Sequence, residues 1–371
     1  MVPPNGRWLA RHDRVVACLA LLLASTLAFA ILAPGAASQG AAYVPRPTTS
    51  TLADPSSYSM REFPLPPSDT NPTPAGRAHS ITVGPDGRVW YSGLNQGNLG
   101  MFDPATETFR LWDTPTPRSR PHGIQAARDG MIWITLTGLP QNKVAKFDPT
   151  TETFTEYPMP RPNSYPHTVW VARNGDIYFS FEYGDGVGRI DPATGQVTEW
   201  AIPTHRSRPY GIEEGPDGAL WVVEFTGNKV ARLDPRTGEV REWPHPRAAD
   251  DPGLRRLAID PRDGAIWFVE HEWGSIGRFD PRTESWQSWW MPEHNGSREN
   301  PYALNFDSKG QLWVNNFGGN YVARFDPQAE HWTVYPYLSP NTTCRLMAFD
   351  ANDVLWCASS ATPVLVRLEA R

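Results

Sequence analysis

"PYGIEEGPDGALWVVEFTGNKVARLDPRTGEVREWPHP", Pro209–Pro246, holds the features that decide the fold. A short apolar stretch leads to the turn Pro216-Asp217-Gly218, and then to a strand carrying Trp221. Asp-Gly supplies the positive φ that a tight hairpin needs. A second turn, at Asp234-Pro235, leads to a further strand carrying Trp243. The stretch therefore reads as four short strands joined by tight turns.

The same unit recurs on both sides. Its central aromatic returns as Trp90, Trp133, Tyr178, Trp221, Trp267, Trp313 and Trp356, at spacings of 43 to 46 residues. A turn precedes each one: "PDGRV", "RDGMI", "NGDI", "PDGAL", "RDGAI", "SKGQL" and "ANDVL". Asp-Pro turns at Asp103, Asp148, Asp191, Asp234, Asp280 and Asp326 are followed by strands carrying Trp112, Tyr157, Trp200, Trp243, Trp289 and Tyr335. Seven such units predict an all-β protein, a seven-bladed β-propeller of four-stranded antiparallel blades. The last unit stops at "VRLEAR" without its fourth strand, whereas "SMREFPLPP" (Ser59–Pro67) matches the fourth strands "TFTEYPMPR" and "EVREWPHPR". An N-terminal strand is therefore expected to close the ring, with residues 59–371 forming the propeller. On this reading the repeat aromatics and Asp-Pro turns are scaffold.

The composition agrees. The 371 residues include 16 Trp, 38 Pro and 30 Gly, a mix that favours strands and turns over long helices. A net charge of −6, with no basic cluster beyond the N-terminus, argues against nucleic acid as a partner. Residues 1–37 carry Arg7, Arg11 and Arg14 before an apolar run ending at Pro34-Gly35, the pattern of a signal peptide, with an uncleaved N-terminal membrane anchor as the alternative. Either way the protein is expected to be exported, to the periplasm or the extracellular side. Residues 38–58, rich in Ala, Ser, Thr and Pro, read as a flexible tether. The chain is read as a monomer. Hairpin register pairs Cys357 near Met347, so Cys344 and Cys357 are expected to be two free, buried thiols.

Function is sought where the first strand of each blade starts, because these starts and the ends of the second strands converge on one mouth of the channel. Eleven residues before each repeat aromatic stand His79, His122, His167, Tyr210, Arg256, Tyr302 and Arg345. Polar, aromatic or cationic at every blade, this ring fits a solvated cavity better than a core. Second-strand ends add Glu182, Glu224, Glu270 and Glu272. Imidazoles and carboxylates round one cavity suit a hard divalent ion and a general base; a hydrated rim of paired charges is the plainer reading.

The units "PHGIQAARDGMIWITLTG", Pro209–Pro246 and "DGAIWFVEHEWGSIGRFDP" closely resemble the repeats of the streptogramin B lyase (virginiamycin B lyase) family, over about residues 60–370. The resemblance implies a carbon–oxygen lyase that opens a cyclic depsipeptide at its ester by elimination. A histidine takes the proton α to the carbonyl, and glutamate-held Mg²⁺ stabilises the developing charge. By this resemblance His167 is the base, His122 a substrate contact, and Glu182 the second magnesium ligand; Glu224, on the next blade, could substitute for the first. The family's first ligand position is occupied here by Tyr165, and the corresponding last blades carry Tyr302, Thr343, Arg345 and Ser360. His79, Tyr210, Arg256, Tyr302 and Arg345 would contact the substrate. A hydrolase on a lactone is a variant of this reading. The alternative is a non-catalytic propeller whose top face binds a peptide, a saccharide or an envelope protein. A calcium-dependent lactonase of the six-bladed kind is disfavoured by the seven repeats.

Overall fold

The computed structural model describes residues 43–67, 78–139, 142–294, 296 and 300–371. The stretch read as a signal or anchor, residues 1–37, lies outside them, as do residues 38–42. Among the described residues no helix is long and apolar enough to cross a membrane.

Seven antiparallel sheets follow one another along the chain. Blades 1 to 6 span residues 78–113, 121–158, 166–201, 209–244, 254–290 and 301–336, and blade 7 spans 344–370. Within each blade the strands are lettered a to d outward from the channel. Each a strand touches the a strand of the next blade, and that of blade 7 touches that of blade 1, so the a strands form the inner wall of a closed ring. The missing d strand of blade 7 comes from the N-terminus as expected. Tyr58–Pro64 pairs antiparallel with Val364–Ala370, placing Met60 opposite Leu368. Closure gives blade 7 the same sheet order as its neighbours and leaves no open seam for pairing with another chain.

The repeat aromatics are core, as read from the sequence. Trp90 stacks on Trp112 of its own blade at 5.5 Å and meets Phe147 of blade 2 at 5.8 Å. Trp267 stacks on Trp289 at 5.2 Å and meets Phe325 of blade 6 at 6.2 Å. Each blade therefore buries one face against each neighbour, and no blade has a complete core alone.

Two expectations are corrected. Residues 43–58, read as tether, lie along the outside of the ring. Thr49–Leu52 adds a parallel fifth strand to His331–Pro336 of blade 6, and Arg46 pairs with Glu330 at 2.9 Å. An outer d strand exposes unpaired backbone groups, and a short β-branched segment can satisfy them even with its side chains exposed. Cys344 and Cys357 form a disulfide, with Cα atoms 5.8 Å apart, inside the range a bridge tolerates. Met347 does face Cys357, but a bulge between Cys344 and Met347 sets Cys344 opposite Ser359 and brings the two cysteines together.

Candidate functional site

The bulge of blade 7 has a counterpart near the start of strand a in every other blade, for example between Pro121 and Ile124 in blade 2. There the backbone departs from the sheet ladder, and the released groups need other partners. In blades 1 to 3 a strand-b hydroxyl supplies them. Thr135 accepts from Gly123 N–H at 2.8 Å and donates to the His167 carbonyl of the next blade at 2.8 Å. Ser92 does the same between Ser80 N–H and the His122 carbonyl, and Ser180 between Thr168 N–H and the Tyr210 carbonyl. Gly123 is required here: a Cβ would stand 2.4 Å from the His167 carbonyl oxygen. These three hydroxyls hold His122, His167 and Tyr210 in place, and sequence reading missed them. The available signal was a hydroxyl two residues beyond the repeat aromatic, where blades 4 and 5 carry Val223 and Val269.

All seven ring residues come together in the channel. His79 and His122 lie 3.8 Å apart between ring centroids, His122 and His167 4.1 Å, and His167 and Tyr210 3.8 Å. The Tyr210 and Tyr302 hydroxyls are 2.9 Å apart, and Arg345 donates to Tyr302 at 3.2 Å. Arg256 lies over Tyr210 at 5.0 Å and donates to the Thr168 hydroxyl at 2.6 Å. The ring is buried and not open to solvent as expected, since side chains from seven blades converge on a narrow channel; His167 is 1% exposed and Tyr302 0%. Burial first, then the neighbouring His122 and Arg256, hold the His167 imidazole well below its ordinary range. His79 and His122 are lowered for the same kinds of reason, so all three are neutral at pH 7. Burial raises the Tyr302 phenol, but Arg256, Arg345 and Arg255 outweigh it and leave Tyr302 below the usual range, while burial pushes Tyr210 up.

Arg255 was not anticipated. Leu254 faces Glu270 as Pro209 faces Glu224, so Arg255 is the true counterpart of Tyr210. The a–b hairpin of blade 5 is one residue longer than that of blade 4, which shifted the count from Trp267 onto Arg256. Arg255 stacks over Phe225 at 4.4 Å and faces Glu272 at 3.6 Å.

The two expected metal ligands do not meet. Glu182 follows the strand-b end, at the position of His271 and Phe317, and turns to the channel, with Oε2 3.8 Å from His167 Nε2 and Oε1 paired to Arg208. Glu224 is the strand-b end itself, one register earlier, and on a strand one residue flips the face. Its fully buried carboxyl lies in the cleft between blades 3 and 4, near Ser207, Asp185, Lys229 and Glu242. Burial, with Glu242 beside it, raises Glu224 to about 8. Glu270 turns inward likewise, accepting from Tyr43, His245, Ser275 and Ser288. These residues do not fit Mg²⁺: one carboxylate at the mouth is held by an arginine, three more guanidiniums stand nearby, and no group of three or more His, Cys, Asp or Glu among the described residues is placed to hold a metal ion.

On the same face, beside blade 1, opens a cleft of about 590 Å³ lined by Gln96, Thr114, Thr116, Arg118 and Arg120. Arg120 directly precedes strand a of blade 2, and its charge reaches His79 and His122.

The family model described as virginiamycin B lyase matches residues 57–259. A solved streptogramin B lyase structure superposes with a TM-score of 0.74 at 26% identity, over 85% of this chain and 98% of that one. Virginiamycin B lyase from Staphylococcus aureus gives 0.75 at 24% identity, over 85% and 100%. YCF48 bound to D1 peptide shares the fold with a TM-score of 0.67 at 14% identity, over 87% and 98%. No curated protein sequence matches the chain.

Proposed function

The chain belongs to the virginiamycin B lyase family, and we propose that within it this propeller is a binding protein for a small cyclic ester or peptide. The ligand's body lies in the top-face cleft and its polar end reaches the arc of Arg120, His122 and His167. One observation carries the reading: the cleft of about 590 Å³ is lined by Arg120, whose charge also acts on His79 and His122 of the channel ring. A streptogramin B lyase and a peptide-bound propeller among the structural relatives are consistent with it. Export, based on the N-terminal apolar run, is part of the same proposal.

Titration calorimetry of the full chain with a panel of cyclic depsipeptides tests it. Saturable binding that weakens about tenfold in Arg120→Gln is expected, the effect of losing one charged hydrogen bond. Absence of binding by the whole panel refutes the proposal.

A second reading has its own observation. His167 is held neutral, faces Glu182 at 3.8 Å and has Arg256 close by. A neutral imidazole can accept the α-proton; the ester C–O bond then breaks, a C=C bond forms and a carboxylate departs, with guanidinium charge meeting the developing anion. Mass spectrometry of a depsipeptide would show a product of unchanged mass, open and unsaturated. With the pKa lowered, the rate should stay level as pH falls through about 6.5, and His167→Ala should abolish it. No turnover in the wild type rules this reading out.

A further inference from the structure

The channel contains more positive charge than it neutralises. Arg256 is only 4% exposed, yet its Nε and Nη2 have no hydrogen-bond partner, and Arg345 Nε has none either. No carboxylate of a described residue pairs with either guanidinium. The chain does supply such partners elsewhere: Arg189 has Asp176 at 2.7 Å, and Arg278 has Asp263 at 2.6 Å. Glu182 is taken by Arg208, and the half-exposed Glu272 stands by Arg255. The three histidines are neutral and offer no compensation. An isolated charge in such surroundings is costly, so a counter-charge is required.

The free atoms specify its shape. Nε and Nη2 form one edge of the planar guanidinium, with parallel N–H bonds spaced for the two oxygens of a carboxylate. Nearby, the Tyr210 and Tyr302 hydroxyls share one hydrogen bond and leave one O–H free to donate, Arg345 keeps a free Nε, and the Arg256 and Arg345 guanidiniums lie 5.9 and 5.1 Å from the same Tyr302 ring. A planar monoanion suits this set better than a tetrahedral phosphate.

We propose that the channel binds a carboxylate, held side-on by Arg256 and reached by Arg345 and the Tyr210–Tyr302 hydroxyl pair. The proposal rests on the reading of the top face as a ligand site and names the ligand's chemical class: a small molecule or peptide end presenting a free carboxylate.

The full chain is titrated by calorimetry with benzoate and with neutral benzamide, and with a short peptide as its free acid and as its C-terminal amide. Acids should bind at least about tenfold more tightly than their amides, the usual worth of a charge-assisted pair. Arg345→Gln should lose about tenfold in affinity for the acids, and Arg241→Gln, on the outer rim against Glu284, should lose nothing. A second readout is tyrosinate absorbance at alkaline pH. Benzoate should reduce it, because the bound anion cancels the field of the arginines on Tyr302, and the reduction should vanish in Tyr302→Phe. Binding of the peptide acid without benzoate supports the proposal and identifies a chain terminus as the source. Equal binding of acids and amides, or an unchanged affinity in Arg345→Gln, overturns it. Tight binding of neutral depsipeptides without carboxylate preference overturns it while leaving the top-face reading standing. Absence of any binding overturns both.

Discussion

Replacing Thr135 by Val removes one hydroxyl and keeps the shape, which isolates the device that positions His167. The hydroxyl accepts from Gly123 N–H and donates to the His167 carbonyl, both at 2.8 Å. The two backbone groups are not equally exposed to the loss. The His167 carbonyl also has His122 Nδ1 at 3.2 Å and keeps that partner. Gly123 N–H is buried in the bulge and is left with none. A buried donor without a partner costs about 1–3 kcal/mol, and Val suits a strand as well as Thr, so Thr135→Val should destabilise by about 2 kcal/mol. Urea unfolding followed by tryptophan fluorescence measures this, with Thr135→Ser as control. Serine retains the hydroxyl and loses one buried methyl, so it should cost less, about 1 kcal/mol. If Thr135→Val lies within about 0.5 kcal/mol of the wild type, or if Thr135→Ser is the worse of the two, the hydroxyl bridge does not carry the bulge.

Two other perturbations follow from buried carboxyls outside the channel. Glu224, raised to about 8, binds its proton more tightly folded than unfolded, so its contribution to stability is complete below about pH 4.5 and is lost as pH rises through 8. Glu224→Gln should flatten stability across that window and stabilise the protein at pH 8 by on the order of 3 kcal/mol, read from urea midpoints at a series of pH values; an unchanged slope refutes the assignment. Tyr43 donates to Glu270 at 2.7 Å from the strap outside the ring, so Tyr43→Phe should lower stability by about 1.5 kcal/mol and speed proteolysis of residues 43–52; unchanged cleavage there would show that the strap does not depend on this bond.

The blade count, the turns and the closing strand were legible because each depends on local chemistry repeated at a fixed interval. Asp-Gly and Asp-Pro state where the chain reverses, and the 43 to 46 residue spacing states how often. The ring of His79, His122, His167, Tyr210, Tyr302 and Arg345 was legible for the same reason. What failed turned on a single residue of register. Glu182 and Glu224 look alike at the ends of neighbouring strands, yet they point to opposite faces. Arg255 was hidden by a hairpin one residue longer than its neighbours. The cysteines meet only because a bulge moves one of them along its strand. The strap of residues 43–58 is held by the outer edges of blades 5 and 6, partners more than 200 residues away. Composition and period therefore determined the scaffold of this protein. The tertiary structure decided which side chains share a cavity, because side chains on a strand alternate every residue, and one bulge or insertion exchanges channel for core.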